Sequence, residues 1–122
     1  MPFCDMIESG RTPAIERNIA PHPSLKPQEF LRKLVRAALP TGEGVILDPF
    51  AGSGSTLAAA HHLGLECIGI EKDAEFYATA VEAIPKLAAL YCARQSINRQ
   101  KASTVESGAE RQVLIDIFAV QA

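Results

Sequence analysis

The residues best suited to chemistry lie in one short stretch, Asp48-Pro49-Phe50-Ala51-Gly52-Ser53-Gly54-Ser55-Thr56, and one acid, Glu71, follows 23 positions after Asp48. Two glycines around one serine let a backbone approach a ligand where a Cβ would collide. A helix opening near Ser55 aims unpaired N–H groups at whatever occupies that loop. Glu71 ends an apolar run, where a carboxylate can accept hydrogen bonds from both hydroxyls of a ribose. The combination describes a nucleotide site. Its plain alternative is a tight turn flanked by two carboxylates, Asp48 and Glu71, that cap neighbouring helices.

The loop chemistry narrows the nucleotide. A dinucleotide loop reads GxGxxG, and the position of the third glycine is Leu57. A phosphate loop needs Gly-Lys-Ser/Thr, and no lysine follows Gly54. The short GxG form suits a ligand without a pyrophosphate, and S-adenosylmethionine is the candidate it favours.

The elements that must position this loop are readable from periodicity. Phe30, Leu31, Leu34, Val35, Ala38 and Leu39 recur at helical spacing, with Arg32, Lys33 and Arg36 on the other side. Pro27 suits the first turn of that helix, and Pro40-Thr41-Gly42 stops it. Val45-Ile46-Leu47 and Cys67-Ile68-Gly69-Ile70 are short apolar runs bounded by turns, the pattern of buried parallel strands. Between them a helix from about Ser55 to Leu63 should end on Gly64. Asp73 can cap a third helix whose inner face carries Phe76, Tyr77, Ala80, Val81 and Ile84. Pro85 should end or kink it, with a helical resumption over Leu87 to Tyr91. Strand, glycine loop, helix, strand, acid is the first unit of a nucleotide-binding α/β fold.

Around this unit the chain divides into an irregular arm over 1–21, a core over 22–92, a polar linker over 93–112 and a strand candidate over 113–122 with no assigned neighbour. Apolar residues make up 48% of the sequence, and no apolar run is long enough to span a bilayer. The N-terminus lacks the basic start and apolar core of a signal peptide. Cys4, Cys67 and Cys92 are odd in number and form no CxxC pair, which argues against a disulfide framework or a zinc site and fits the reducing cytoplasm. Cys67, on a buried strand, reads as core packing. His61 and His62 are adjacent on a helix, point about 100° apart and cannot share a metal. Arg94, Arg99 and Lys101 read as a solvated stretch. The net charge of −2 gives no general basic surface for nucleic acid.

His22-Pro23-Ser24-Leu25-Lys26-Pro27, then the Asp48–Thr56 stretch, then Gly69-Ile70-Glu71 together resemble the DNA N6-adenine/N4-cytosine methyltransferases. The likeness is to the branch in which the cofactor-binding block follows the catalytic block, and it covers residues from about 18 to 84. It implies a partial Rossmann-like, S-adenosylmethionine-dependent methyltransferase fold: parallel strands, flanking helices and an incomplete sheet in which the Asp48 strand would be central. It also implies that Lys26, Ser55 and Thr56 lie near the methionine end of the cofactor, and that Asp48 and the Gly52–Gly54 backbone line the same end. Phe50 would pack beside the adenosine, Glu71 would take the ribose, and Lys72 or Ile70 would flank the adenine. His22 reads as structural.

The family also needs an Asp, Asn or Ser followed by Pro-Pro-Tyr or Pro-Pro-Phe to hold the flipped base. This sequence has eight prolines and no two are adjacent. The resemblance would place that motif before position 1, together with the surface that binds DNA. No residue here is therefore expected to be catalytic. The expectation is the cofactor-binding part of a truncated or split DNA amino-methyltransferase of a restriction-modification type, with DNA reached through the missing half or a partner chain. The exposed edge of the Asp48 strand should be covered by a catalytic partner subunit, a second copy, or the 113–120 strand. The alternatives are a non-catalytic or degenerate adenosylmethionine-binding module and an unrelated nucleotide-binding fragment.

Overall fold

A computed structural model describes residues 6–90 and the strand 115–119. Cys4, Cys92, Arg94, Arg99, Lys101 and the 93–112 linker lie outside the described residues. Within the stretch expected to be an irregular arm, Ala14–Ile19 forms a short helix, α1. Its cause is tertiary rather than local. Glu16, 3% exposed, accepts the backbone N–H of Gln28 at 3.0 Å, and Thr12 Oγ1 donates to the carbonyl of Leu25 at 3.0 Å. Burial pushes the Glu16 carboxyl above its ordinary range, opposed by the Gln28 N–H and the Arg32 guanidinium and reinforced by Glu29.

Helix α2 spans Gln28–Ala38 directly after Pro27, strand β1 spans Val45–Asp48, and helix α3 spans Ser55–His62. Gly64 adopts positive φ just beyond α3, as a helix-terminating glycine does. Strand β2 spans Glu66–Glu71 and helix α4 spans Ala74–Ala88. Asp73 caps α4, its Oδ1 accepting from the N–H groups of Glu75 and Phe76 at 2.9 and 3.0 Å. Strand β3 spans Ile115–Ala119.

The three strands are parallel in the order β1-β2-β3, with Ile46 opposite Cys67 and Cys67 opposite Ile115. One of the three covers expected for the β1 edge is corrected here: the C-terminal strand pairs with β2, on the side away from β1, so it does not cover that edge. Among the described residues β1 is an edge strand with β2 beside it, the arrangement expected of the Asp48 strand without its catalytic-motif neighbour. Helix α3 packs between α2 and α4 and onto the sheet. Leu57, Ala58, Ala59, Ala60 and Cys67 form the centre of the core. Gly69 permits this packing, because a Cβ there would stand 2.6 Å from Leu57 Cδ2. The opposite face of β1 is open: Val45 and Leu47 are 50% and 61% exposed.

Four side chains fall on faces other than those their spacing suggests. Leu34, Ala38 and Val81 are exposed, whereas Arg32 is buried. Arg32 Nη2 donates to the carbonyls of Leu87 and Ala88 at 3.0 and 3.4 Å, and Nη1 to that of Leu90 at 2.9 Å. It thereby adds donors to carbonyls at and just past the end of α4, where that of Leu87 also accepts the Leu90 N–H and that of Ala88 lies against His62 Nδ1, and its charge suits that end of the helix dipole. Of the two outcomes expected at Pro85, an end or a kink, the first does not occur: helix α4 continues through it. Pro85 and Val81 lie on the exposed side, where a released carbonyl can meet water, while Leu87 and the Arg32 contacts hold the last turn.

Candidate cofactor-binding site

The chain leaves β1 at Asp48, whose Oδ1 accepts the N–H of Phe50 at 3.0 Å and closes the turn. Gly52 and Gly54 then adopt positive φ, 57° and 83°. Gly54 opens α3 in the left-handed conformation, where a Cβ would lie 2.6 Å from Ile84 Cγ1. Helix packing and φ therefore demand this glycine, not ligand approach. At Gly52 a Cβ would lie 3.2 Å from the His22 ring. That ring packs edge-on against Phe76, centroids 4.3 Å apart, and its Nδ1 accepts the N–H of Ser24 at 3.0 Å. His22 is thus structural, pressing the 22–27 segment against the glycine loop.

These contacts bring Lys26, Asp48, Phe50, Gly52, Ser55 and Thr56 around one cleft of about 140 Å³ at the carboxyl end of β1, with His22, Ser24 and Ser53 also in its wall. Phe50 presents its ring to solvent, 87% exposed. Gly54, Glu71 and Lys72, the other expected site residues, do not line the cleft. Gly54 is buried beneath Ile84, and Lys72 is exposed on the turn between β2 and α4. Glu71 reaches the loop indirectly: Oε2 accepts the N–H of Gly52 and Oε1 that of Asp73, each at 2.8 Å. It ties the glycine loop to the start of α4, and an ionised carboxylate with about four acceptor sites still has capacity for further donors.

Gln28 does not line the cleft but touches a residue that does, a contact that periodicity gives no way to find. Its Nε2 donates to the carbonyl of Ser55 at 2.8 Å, and a polar residue in a first helical turn carries no signal of such a partner. Among the described residues no cluster of three His, Cys, Asp or Glu side chains is arranged to hold a metal. His61 and His62 contribute to none, and His62 Nδ1 lies 2.8 Å from the carbonyl of Ala88. No helix of the described residues is long and apolar enough to cross a membrane.

The family model for DNA methylases matches residues 7–82. The type II methyltransferase M2.DpnII of Streptococcus pneumoniae is 36% identical over 72 residues, 59% of this chain and 26% of that protein. The type II methyltransferase M2.LlaDCHI of Lactococcus lactis subsp. cremoris is 33% identical over 82 residues, 67% of this chain and 30% of that protein. The matched part of this chain thus spans between a quarter and a third of the length of these relatives. No solved structure matches it. The family match takes in the Lys26 segment, the glycine loop and Glu71 in one continuous span, more than half of the sequence, and the chain belongs to the DNA methylase family.

Proposed function

We propose that this chain is the S-adenosylmethionine-binding part of a DNA amino-methyltransferase, acting at N6 of adenine or N4 of cytosine, whose base-holding part lies outside these residues. The observation that carries the reading is the cleft at the carboxyl end of β1, walled by Lys26, Asp48, Phe50, Gly52, Ser55 and Thr56. Ligands of open parallel sheets bind outside the carboxyl ends of the strands. The donor set fits this cofactor. Lys26 can meet its carboxylate, Asp48 and the two hydroxyls its ammonium group, and Phe50 offers an exposed ring for adenosine. Glu71 accepts ribose hydroxyls with the capacity its backbone bonds leave.

When bound, the cofactor supplies an electrophilic methyl group. The residues of this chain bind and orient that donor, and none of them is assigned to the acceptor. A cleft of about 140 Å³ is smaller than pockets that enclose a ligand of this size, which run to roughly 300–1,000 Å³. This chain would therefore form one wall of the complete site. DNA would be held by the remaining part, in a cytoplasmic modification enzyme. A second reading, a module that binds the cofactor without transferring methyl, is favoured by the lack of any adjacent prolines.

Calorimetry of the full chain tests the cofactor assignment. Adenosylmethionine or its demethylated product, S-adenosylhomocysteine, should bind more tightly than NAD. Binding of NAD with no binding of either sulfur nucleoside would overturn it.

A further inference from the structure

Gln28 is fully buried in the first turn of α2. Its backbone N–H donates to Glu16 Oε2 and its side-chain Nε2 to the Ser55 carbonyl, while its buried Oε1 meets no donor among the described residues. For packing alone this is a poor choice. An unsatisfied buried acceptor costs more than a typical hydrogen bond returns, so an apolar side chain of the same shape would serve the core at least as well. What the amide does accomplish is to hold one atom, the carbonyl of Ser55. Helix α3 opens on Gly54, which has no side chain with which to cap it. Locally the first turn is held only by backbone bonds, from the Gly54 N–H to the Ala51 carbonyl and from the Ala58 N–H to the Gly54 carbonyl, and that turn brings Ser55 and Thr56 to the cleft.

We propose that Gln28 is a positioning residue for the cofactor cleft, tethering the first turn of α3 from α2, and that Glu16 anchors it from α1. The proposal rests on the reading of the cleft as the adenosylmethionine site. The line Glu16–Gln28–Ser55 crosses three helices through two hydrogen bonds between groups 12 and 27 residues apart. It gives the N-terminal helix, which contributes nothing to the cleft wall, a direct influence on where the Ser55 and Thr56 hydroxyls stand. Preorganised polar groups lose affinity when their support is removed, even where the groups themselves remain.

The test compares Gln28→Met with the parent chain, at a temperature where circular dichroism shows both folded. S-adenosylhomocysteine affinity by calorimetry should fall roughly tenfold, the loss expected for about one well-made hydrogen bond. The melting temperature should stay level or rise, because the idle acceptor is gone. Amide exchange at Ala58 and Ala59 in α3 should quicken. Glu16→Gln, which keeps an acceptor for the Gln28 N–H, should retain affinity that Glu16→Ala loses. Parental affinity and parental exchange in Gln28→Met would overturn the proposal. So would failure of that variant to fold, which would make the amide a packing necessity. A parent chain that binds no ligand would sink the cofactor reading instead, and exchange in α3 would then decide the positioning role by itself.

Discussion

Glu71 spends both carboxylate oxygens on backbone N–H groups, one in the glycine loop and one at the entry to α4. Its substitution should therefore be felt in the fold as well as in binding. Glu71→Ala leaves two donors without their partner and is expected to lower stability by about 1–3 kcal/mol, with a loss of ligand affinity of similar size. Glu71→Gln keeps one acceptor oxygen, so it should retain more of the stability than of the affinity. Thermal melts and calorimetry on the same two variants separate these effects. Affinity unchanged in a destabilised Glu71→Ala would make the residue a tie between loop and helix and nothing more. The site was legible in the sequence to the extent that backbone geometry restricts residue type. Gly52 and Gly54 occupy positive φ, and the acid stands where a strand ends. The reasons were less legible: Gly54 answers to Ile84, 30 positions away. Gln28 and Arg32 gave no sign at all, since a polar residue on a helix looks the same whether its partner is water or a distant carbonyl.

The main helices and strands foreseen from periodicity are present among the described residues, because short apolar runs and capped amphipathic stretches are local signals, whereas the helical stretch expected to reach Tyr91 ends at Ala88. The errors arise where a distant contact decides. Helix α1 exists because Glu16 finds Gln28, and α4 passes through Pro85 because its last turn is held from outside. The partner of β3 could not be read, since strand order is a property of the assembled sheet and not of any one strand. Arg32 shows how much one distant contact does at this scale. Its guanidinium serves three carbonyls at the end of α4 while almost wholly buried. Arg32→Met keeps the volume of the stem and removes those donors. It is expected to cost about 2–3 kcal/mol, since charged hydrogen bonds to buried acceptors are among the stronger ones. Amide exchange should quicken in the last turn of α4, past Pro85, before it does so at Ala58 to Ala60. Uniform loss of protection across the chain would show that Arg32 supports the whole core and not that helix end.

At the scale of the whole molecule the sheet is open in two directions. The free edge of β1 has no strand beside it among the described residues, and Val45 and Leu47 lie bare on one face. Parallel sheets are normally covered on both faces, and apolar unpaired edges invite pairing with another chain. The cleft lies at the carboxyl end of β1, so on the proposed reading polypeptide that pairs with β1 would also complete the site. From this follows the expectation that the chain alone transfers no methyl group to DNA, and that transfer appears when polypeptide bearing the Pro-Pro-Tyr type of motif is added. Transfer requires the amino nitrogen held in line with the sulfonium methyl at near-attack distance, and such positioning supplies a large share of enzymatic rate enhancement. On the proposed reading, Lys26, Asp48, Gly52 and Glu71 would hold only the donor. No two prolines adjoin in this sequence to orient a flipped base, and a net charge of −2 offers little to retain a duplex. A tritiated-methyl assay on mixed-sequence DNA, with chain purified free of host methyltransferases, measures this directly. Background counts for the chain alone and incorporation with the added partner are the expected pair of results. Robust incorporation by the chain alone would mean that an acceptor site lies among its own 122 residues.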